Sequence, residues 1–364
     1  MKNKISISVI TAAALFIFGF AALGILTPDK KISEAERRPL AAFPQFTVEK
    51  LLDGSFTEEF EKYSLDHFPF RDSFRRIKAL FSYYIFGQKD NNGLYYVNGH
   101  LSKLEYPENL GSVKKATDRF NQIIRDCADK SANVFFSIIP DKNFFLAEKN
   151  GYPSIDSDSF ISFAKNEMSA AGYIDIISLL EISDYYRTDS HWRQEKILDV
   201  AKLIAERTGT KLDADFTERQ LSDSFYGVYS GQSALPVKPD EIIVLENSAT
   251  KNCIVFDSET ESNIPVYDGQ KAFGQDPYEC FLAGPKSLLK IKNPDGPKGK
   301  KLIVFRDSFA SSLAPLLISG YEEITLIDIR YISPKILGRF VDFTGQDILF
   351  LYSMGVLNNS VTIK

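Results

Sequence analysis

Apolar positions dominate the first stretch of the chain, in a nearly unbroken run from Ile5 to Leu26 behind Lys2 and Lys4. Roughly 20 apolar residues suffice to cross a bilayer, whereas a cleaved leader carries an apolar core of about 7–15. The run is long enough for an uncleaved anchor, and the cations ahead of it set an N-in, C-out orientation. Ala21, Ala22 and Gly24 are small, so cleavage near them is the alternative. Either way the body lies outside the cytoplasm. No second stretch is long and apolar enough to span.

A polar, proline-punctuated tether follows, from Ser33 to Leu40 and on to Phe43-Pro44. Helical spacing then runs from Glu49 to Tyr63, broken at Asp53-Gly54, and a turn covers Asp66 to Asp72. From Ser73 to Phe86 the apolar residues recur at three- and four-residue steps, which predicts an amphipathic helix. Asn91 to Gly99 carries the Asn-Gly chemistry of a hairpin.

From about Val113 the rhythm becomes helix, strand, helix, strand. Val113 to Lys130 and Ser159 to Ala171 predict helices. Asn133 to Ile139 is a continuous apolar run of the kind found in buried parallel strands, and Tyr173 to Ile177 is a shorter one. A helix is expected from Trp192 to about Arg207. The rhythm returns with strands at 301–305, 323–328 and 347–352 and helices at 309–319 and 334–340. Such alternation implies a parallel sheet with right-handed crossovers. Residues 211–297 break it. Ile242 to Leu245 and Cys253 to Phe256 suggest a paired strand set, so this segment is expected to be a β-containing insertion shaping the cleft. The domain reading is an anchor or signal over 1–27, an extension over 28–110 that packs on the body, and an α/β domain over 111–364.

Composition adds limits. The 364 residues are 44% hydrophobic, ample for a substantial core, with a net charge of -5 and no long basic run, which argues against nucleic-acid binding. Cys127, Cys253 and Cys280 have no metal-like spacing. Pairing of Cys253 with Cys280 is conceivable, with unpaired core thiols as the other reading. No metal or cofactor is expected.

The candidate chemistry lies in two short stretches. Thr188-Asp189-Ser190-His191-Trp192 holds the chain's single Trp and one of its three His; Phe305-Arg306-Asp307-Ser308-Phe309 ends a predicted strand. Ligands of open α/β sheets bind beyond the carboxyl ends of the strands, where a Ser308 hydroxyl in a strand-to-helix turn would stand exposed. Ser308 would be the nucleophile, His191 its base and Asp189 the group that orients the imidazole. Helix N-terminal N–H groups could hold the oxyanion. Each stretch also reads as a helix cap, Trp192 as packing, and His67 beside Asp66 as the tie of a turn rather than a catalytic group.

The Asp-x-His-Trp motif ahead of an Asp-Ser-Phe resembles the SGNH-hydrolase-like proteins of the alginate O-acetyltransferase group. It resembles still more the DHHW family, named for its Asp-His-His-Trp motif. Further resemblances are Glu36-Arg37-Arg38-Pro39-Leu40, Tyr63 to Arg71, Asn92-Gly93-Leu94-Tyr95, Arg306-Asp307-Ser308 through Pro315, Ile327 to Tyr331 and Phe350-Leu351-Tyr352. Ser190 replaces the first His of the family motif, and Arg306 stands where GDS-type motifs have Gly. The resemblance implies an SGNH-like (flavodoxin-like) α/β fold, a parallel sheet with helices on both faces. It implies acyl transfer or ester hydrolysis on a cell-surface polysaccharide through Ser308, His191 and Asp189, with a separate acyl donor. Asn143, Arg330, Tyr352 and Trp192 are the candidates for substrate or oxyanion contacts, against a reading of the first three as ordinary loop contacts. The rival function is a non-catalytic SGNH-like binding or scaffold protein of the cell envelope, favoured by Arg306.

Overall fold

In the computed structural model, which describes residues 2–364, the chain divides into two units. The first holds residues up to Asn92 together with Ser230–Pro236. It begins with α1 (Lys2–Leu26), whose Ile7–Leu26 stretch is 20 residues long with a mean hydropathy of 2.5, enough to cross a membrane. A two-residue ladder joins β1 (Ile32–Ser33) to β2 (Arg38–Pro39), antiparallel. Thr47 caps α2 (Val48–Leu52) by accepting from the Lys50 N–H at 3.1 Å. Gly54, at φ 84°, supplies the left-handed step into α3 (Ser55–Asp66). After the 67–70 turn, α4 (Arg71–Leu80) continues as a π-helical stretch, Phe81–Ile85.

Two of the sequence motifs meet in this unit. Arg38 forks onto Asp66 at 2.9 and 2.5 Å, and the Ala41 N–H donates to the same carboxylate at 2.9 Å. The Arg38 guanidinium holds the Asp66 carboxyl down to about 2. Glu36 takes Arg71 at 2.6 Å and Arg75 at 3.3 Å. His67 Nε2 lies 2.9 Å from the Ala41 carbonyl, so it ties the turn. The Glu36 to Leu40 and Asp66 to Arg71 motifs are thus two halves of one ion-pair network.

The second unit opens with a hairpin, β3 (Leu94–Val97) and β4 (His100–Lys103), turned through Asn98 and Gly99, both at positive φ. Then come α5 (Leu110–Cys127), β5 (Val134–Ile139), α6 (Lys142–Leu146), α7 (Ser157–Glu167), β6 (Gly172–Tyr173) and α8 (Leu198–Arg207). A long β7 (Thr217–Phe225) leads to α9 (Val228–Ser233), which carries the chain into the first unit. On return come β8 (Asp240–Glu246), α10 (Ser248–Asn252), β9 (Ile254–Asp257), β10 (Ser262–Ile264) and β11 (Leu288–Lys292). The chain closes with β12 (Lys301–Arg306), α11 (Ala310–Leu317), β13 (Glu323–Ile327), β14 (Asp347–Ser353) and α12 (Met354–Asn358).

Eight strands form the main sheet in the order β10-β9-β11-β13-β12-β14-β5-β6. From β13 to β6 every neighbour is parallel. Because β12 alternates Leu302 and Val304 with Ile303 and Phe305, it feeds one core on each face. The first core takes α8 and α11, and the second takes Val113, Ala116 and Phe120 of α5 with Phe160 and Ala164 of α7. Helices therefore cover both faces, as expected.

The sheet is mixed, not wholly parallel. The 211–297 segment adds β11, β9 and β10 to it, each antiparallel to its neighbour. The expected pairing of 242–245 with 253–256 does not form. Asn247 and Thr250 build a capping box that starts α10 and turns the chain away, so β8 pairs with β7. Three shorter differences follow. The strand at 173–177 is only two residues long. The 334–340 segment is a 3-10 helix over Pro334–Arg339. The helix after Trp192 begins only at Leu198. Cys127, Cys253 and Cys280 are all free thiols, so Cys253 and Cys280 do not pair.

Candidate active site

Two loops build the site, the turn after β12 and the 185–192 loop that lies between two short 3-10 segments. After β12, Asp307 clamps the Ser308 turn: Oδ1 accepts from the Phe309 N–H at 3.1 Å and Oδ2 from the Ser353 N–H at 2.7 Å, where β14 ends. Ser308 therefore stands between β12 and α11, partly exposed and making no capping bond.

The partner loop is closed by an isolated antiparallel bridge between Tyr185 and Trp192. Asp240, at the start of β8, fixes its base. One carboxylate oxygen accepts from the Thr188 N–H at 2.8 Å and the Thr188 hydroxyl at 2.6 Å, and the other from the Arg187 N–H at 2.8 Å. Lys142 donates to the Tyr186 and Arg187 carbonyls at 2.9 and 3.3 Å. Burial pushes that ammonium down to about 7 against the opposing pull of Asp189 and Asp240.

Asp189 is 1% exposed. Its Oδ1 lies 2.6 Å from His191 Nδ1 and accepts from the His191 N–H at 3.1 Å, while Oδ2 accepts from the Val228 N–H at 3.0 Å. That last bond depends on Gly227, where a Cβ would stand 2.3 Å from the Asp189 Cβ. His191 Nε2 lies 2.7 Å from Ser308 Oγ. The structure thus joins Asp189, His191 and Ser308 in one unbroken chain of contacts. Since α8 starts at Leu198, Asp189 caps no helix.

Ties between the two turns set this distance. Trp192 is fully buried, and its Nε1–H reaches the Phe309 carbonyl at 3.1 Å and Ser312 Oγ at 3.0 Å. Gln194 donates to the Ser312 carbonyl at 2.7 Å and accepts from the Leu245 N–H at 2.8 Å. Trp192 is therefore a rivet between the loop and α11, out of reach of any substrate.

The other substrate candidates are also engaged elsewhere. Asn143 is buried, accepting from the Tyr95 hydroxyl at 2.9 Å, with its amide 3.4 Å from the Pro153 carbonyl. Arg330 forks onto Asp328 at 2.9 and 2.7 Å. Tyr352 is fully buried in the sheet and stacks on Phe120. Arg306 points into the interior, donating to Ser311 Oγ at 3.0 Å and the Asp307 carbonyl at 3.3 Å, so it braces the Ser308 turn from inside. Among the described residues no group of three His, Cys, Asp or Glu is placed to hold a metal ion.

Sequence reasoning missed Tyr278. Its ring lies flat on the His191 imidazole, centroids 3.7 Å apart at 5°, and its hydroxyl pairs with Ser312 Oγ at 2.9 Å. It also missed Gly227, Asp240, Lys142 and Gln194. A glycine and a Pro-Asp step inside the inserted segment are the faint marks that two of these leave in the sequence.

No protein-family model matches the sequence, and no curated protein does. Among solved structures the chain is similar to a DHHW family protein from Eubacterium siraeum DSM 15702. The two are 21% identical with a TM-score of 0.60, over 75% of this chain and 94% of that one. The fold is that of DHHW and SGNH-like proteins. PatB1 of Bacillus cereus matches it too, 16% identical with a TM-score of 0.57, over 74% of this chain and 98% of PatB1. PatB1 carrying a sulfonyl adduct matches at the same identity and TM-score, over 72% and 95%.

Proposed function

We propose that the protein is a membrane-anchored, extracytoplasmic serine enzyme that moves acyl groups, acetyl above all, onto a cell-surface polysaccharide. The observation that carries this reading is the contact chain from Asp189 through His191 to Ser308, 2.6 and 2.7 Å long. A serine hydroxyl becomes a nucleophile only when a base can take its proton, and these distances place the base within reach. The resemblance of the motifs to the alginate O-acetyltransferase group supports the acyl and polysaccharide parts. The apolar span with cations before it supports the anchor.

In this mechanism Ser308 Oγ attacks the carbonyl carbon of the donor ester as His191 Nε2 takes its proton. Asp189 holds the imidazole in place and stabilises its charged form. The Ser308 N–H, which has no acceptor within the chain among the described residues, is the donor at hand for the oxyanion. The C–O bond of the donor breaks, the leaving oxygen takes the proton from His191, and the acyl group stays on Ser308. A sugar hydroxyl then gives its proton to His191 and attacks the acyl-enzyme. When water replaces the sugar, the same steps hydrolyse the ester.

PatB1, which shares the fold, has been obtained with a sulfonyl adduct. A sulfonyl fluoride is accordingly the probe for this chain. The expected result is labelling of the folded wild type, lost in Ser308→Ala, with turnover of an aryl acetate lost in parallel. A folded wild type that neither takes the label nor turns over the ester would sink the proposal and leave the scaffold reading. Surface-glycan acetyl content in cells carrying Ser308→Ala then tests the polysaccharide part.

A further inference from the structure

An exposed apolar surface that the proposed chemistry leaves unused lies in the first unit. Phe70, Phe74, Ile77, Phe81, Tyr84 and Ile85 follow one another at helical steps along α4 and the π-helical stretch, and all are exposed. A continuous apolar stripe in water calls for something to cover it. Its continuity with α1 identifies the cover. Phe20 of α1 stacks on Phe68, centroids 5.3 Å apart at 5°, and meets Phe70 and Phe74 edge-on at 6.4 and 5.7 Å. Pro69 lies against Gly24.

Depth then follows from helix geometry. Phe20 is six residues before Leu26, where the span ends. At about 1.5 Å per residue, it sits roughly 9 Å inside the outer end of the span. Side chains that stack on Phe20 must be at acyl-chain level. Phe68, Phe70 and Phe74 are therefore inside the outer leaflet, and Phe74 belongs to the stripe that runs on through Ile77 and Phe81. Arg76 and Lys78, also exposed, supply cations suited to anionic headgroups.

We propose that α4 and its π-helical extension lie in the outer-leaflet interface beside α1, as a second, monotopic lipid contact. The inference rests on the reading of α1 as an uncleaved span. It gives the first unit two membrane contacts in place of one.

The test uses the full-length protein in phosphatidylcholine–phosphatidylglycerol vesicles whose acyl chains are brominated, so that they quench nearby indoles. Trp192 is fully buried and provides the unquenched baseline. Phe16→Trp reports on the span; Phe81→Trp and Ile85→Trp report on the stripe. The expected result is loss of the added emission in all three, with wild-type emission unchanged. Quenching of Phe16→Trp alone would overturn the lipid contact while leaving the anchor intact. A blue-shifted but unquenched Phe81→Trp would do the same, showing a protein cover, such as a second copy. No quenching even of Phe16→Trp would overturn the anchor and the contact together.

Discussion

Tyr278 lies face to face with His191, centroids 3.7 Å apart, and Phe309 closes on the same imidazole from a second direction at 4.9 Å. An aromatic face attracts a cation, so in the proposed mechanism the stack favours the imidazolium that would form as Ser308 gives up its proton. Tyr278 is a positioning residue. Tyr278→Ala is expected to lower kcat by roughly 10- to 100-fold, about 1.4–2.7 kcal/mol, with little change in KM. Tyr278→Phe keeps the ring and should keep most of kcat, losing the hydroxyl's contacts with Ser312 Oγ and the Ser308 carbonyl. Tyr278→Ala with unchanged kcat, or with kcat and KM altered alike in Tyr278→Phe, would reduce the stack to packing.

Asp189 lies 2.6 Å from His191 Nδ1 and accepts from the His191 N–H and the Val228 N–H. Asp189→Asn keeps the shape but offers an amide N–H where an acceptor is needed, and favours the wrong imidazole tautomer. By the precedent of serine-protease triads, kcat is expected to fall on the order of 10³- to 10⁴-fold while the fold persists. Aryl acetate kinetics and sulfonyl labelling rate check it. Near-wild-type turnover would mean that His191 works without an orienting carboxylate.

Gly227 is needed for contact, since its φ is not in the left-handed region but a Cβ there would meet the Asp189 Cβ at 2.3 Å and the Asp189 backbone N at 2.6 Å. Two backbones cannot move apart without disturbing the Val228 bond to Asp189. Gly227→Ala should cost about 1–3 kcal/mol in urea unfolding and weaken labelling of Ser308 beyond that stability loss. Gly93→Ala, where a Cβ meets nothing within 4 Å but φ is 72°, is the comparison for backbone strain alone.

Much of this was legible in the sequence, and the limits have physical causes. The 134–139 and 301–306 runs are buried on both sides, so continuous apolar character marked them as inner strands. Ser308 follows β12, whereas Asp189 and His191 lie in a loop between two 3-10 segments, and tertiary packing brings the two together. Tyr278, Asp240 and Gly227 act across long sequence separations from within the inserted segment, where no period announces them. The antiparallel edge was missed because β9 and β11 are short strands, and the 30 residues between them hold the three-residue β10, turns and 3-10 helix. Trp192 and Tyr352 illustrate the converse: aromatic residues beside a motif drew attention as ligand contacts, and packing claimed them.

His100 gives the fold a measurable acid response. Its ring is mostly buried in β4, with Nδ1 buried and unpartnered among the described residues. Burial, with the Lys142 cation nearby, pushes the imidazole from 6.5 down to about 4, against the opposing pull of Asp240. The unfolded chain therefore binds a proton near pH 6.5, and the folded chain only near 4. Above 6.5 both states are neutral at this site and nothing is lost; as pH falls from 6.5 toward 4 the unfolded state gains, and stability declines. After allowance for partial exposure the loss is on the order of 2 kcal/mol. His100→Gln, which cannot titrate, should unfold in urea with a smaller difference between pH 7 and pH 4.5 than the wild type. Equal pH slopes for the two proteins would show that His100 is protonated alike in both states, and would place the acid sensitivity on other groups.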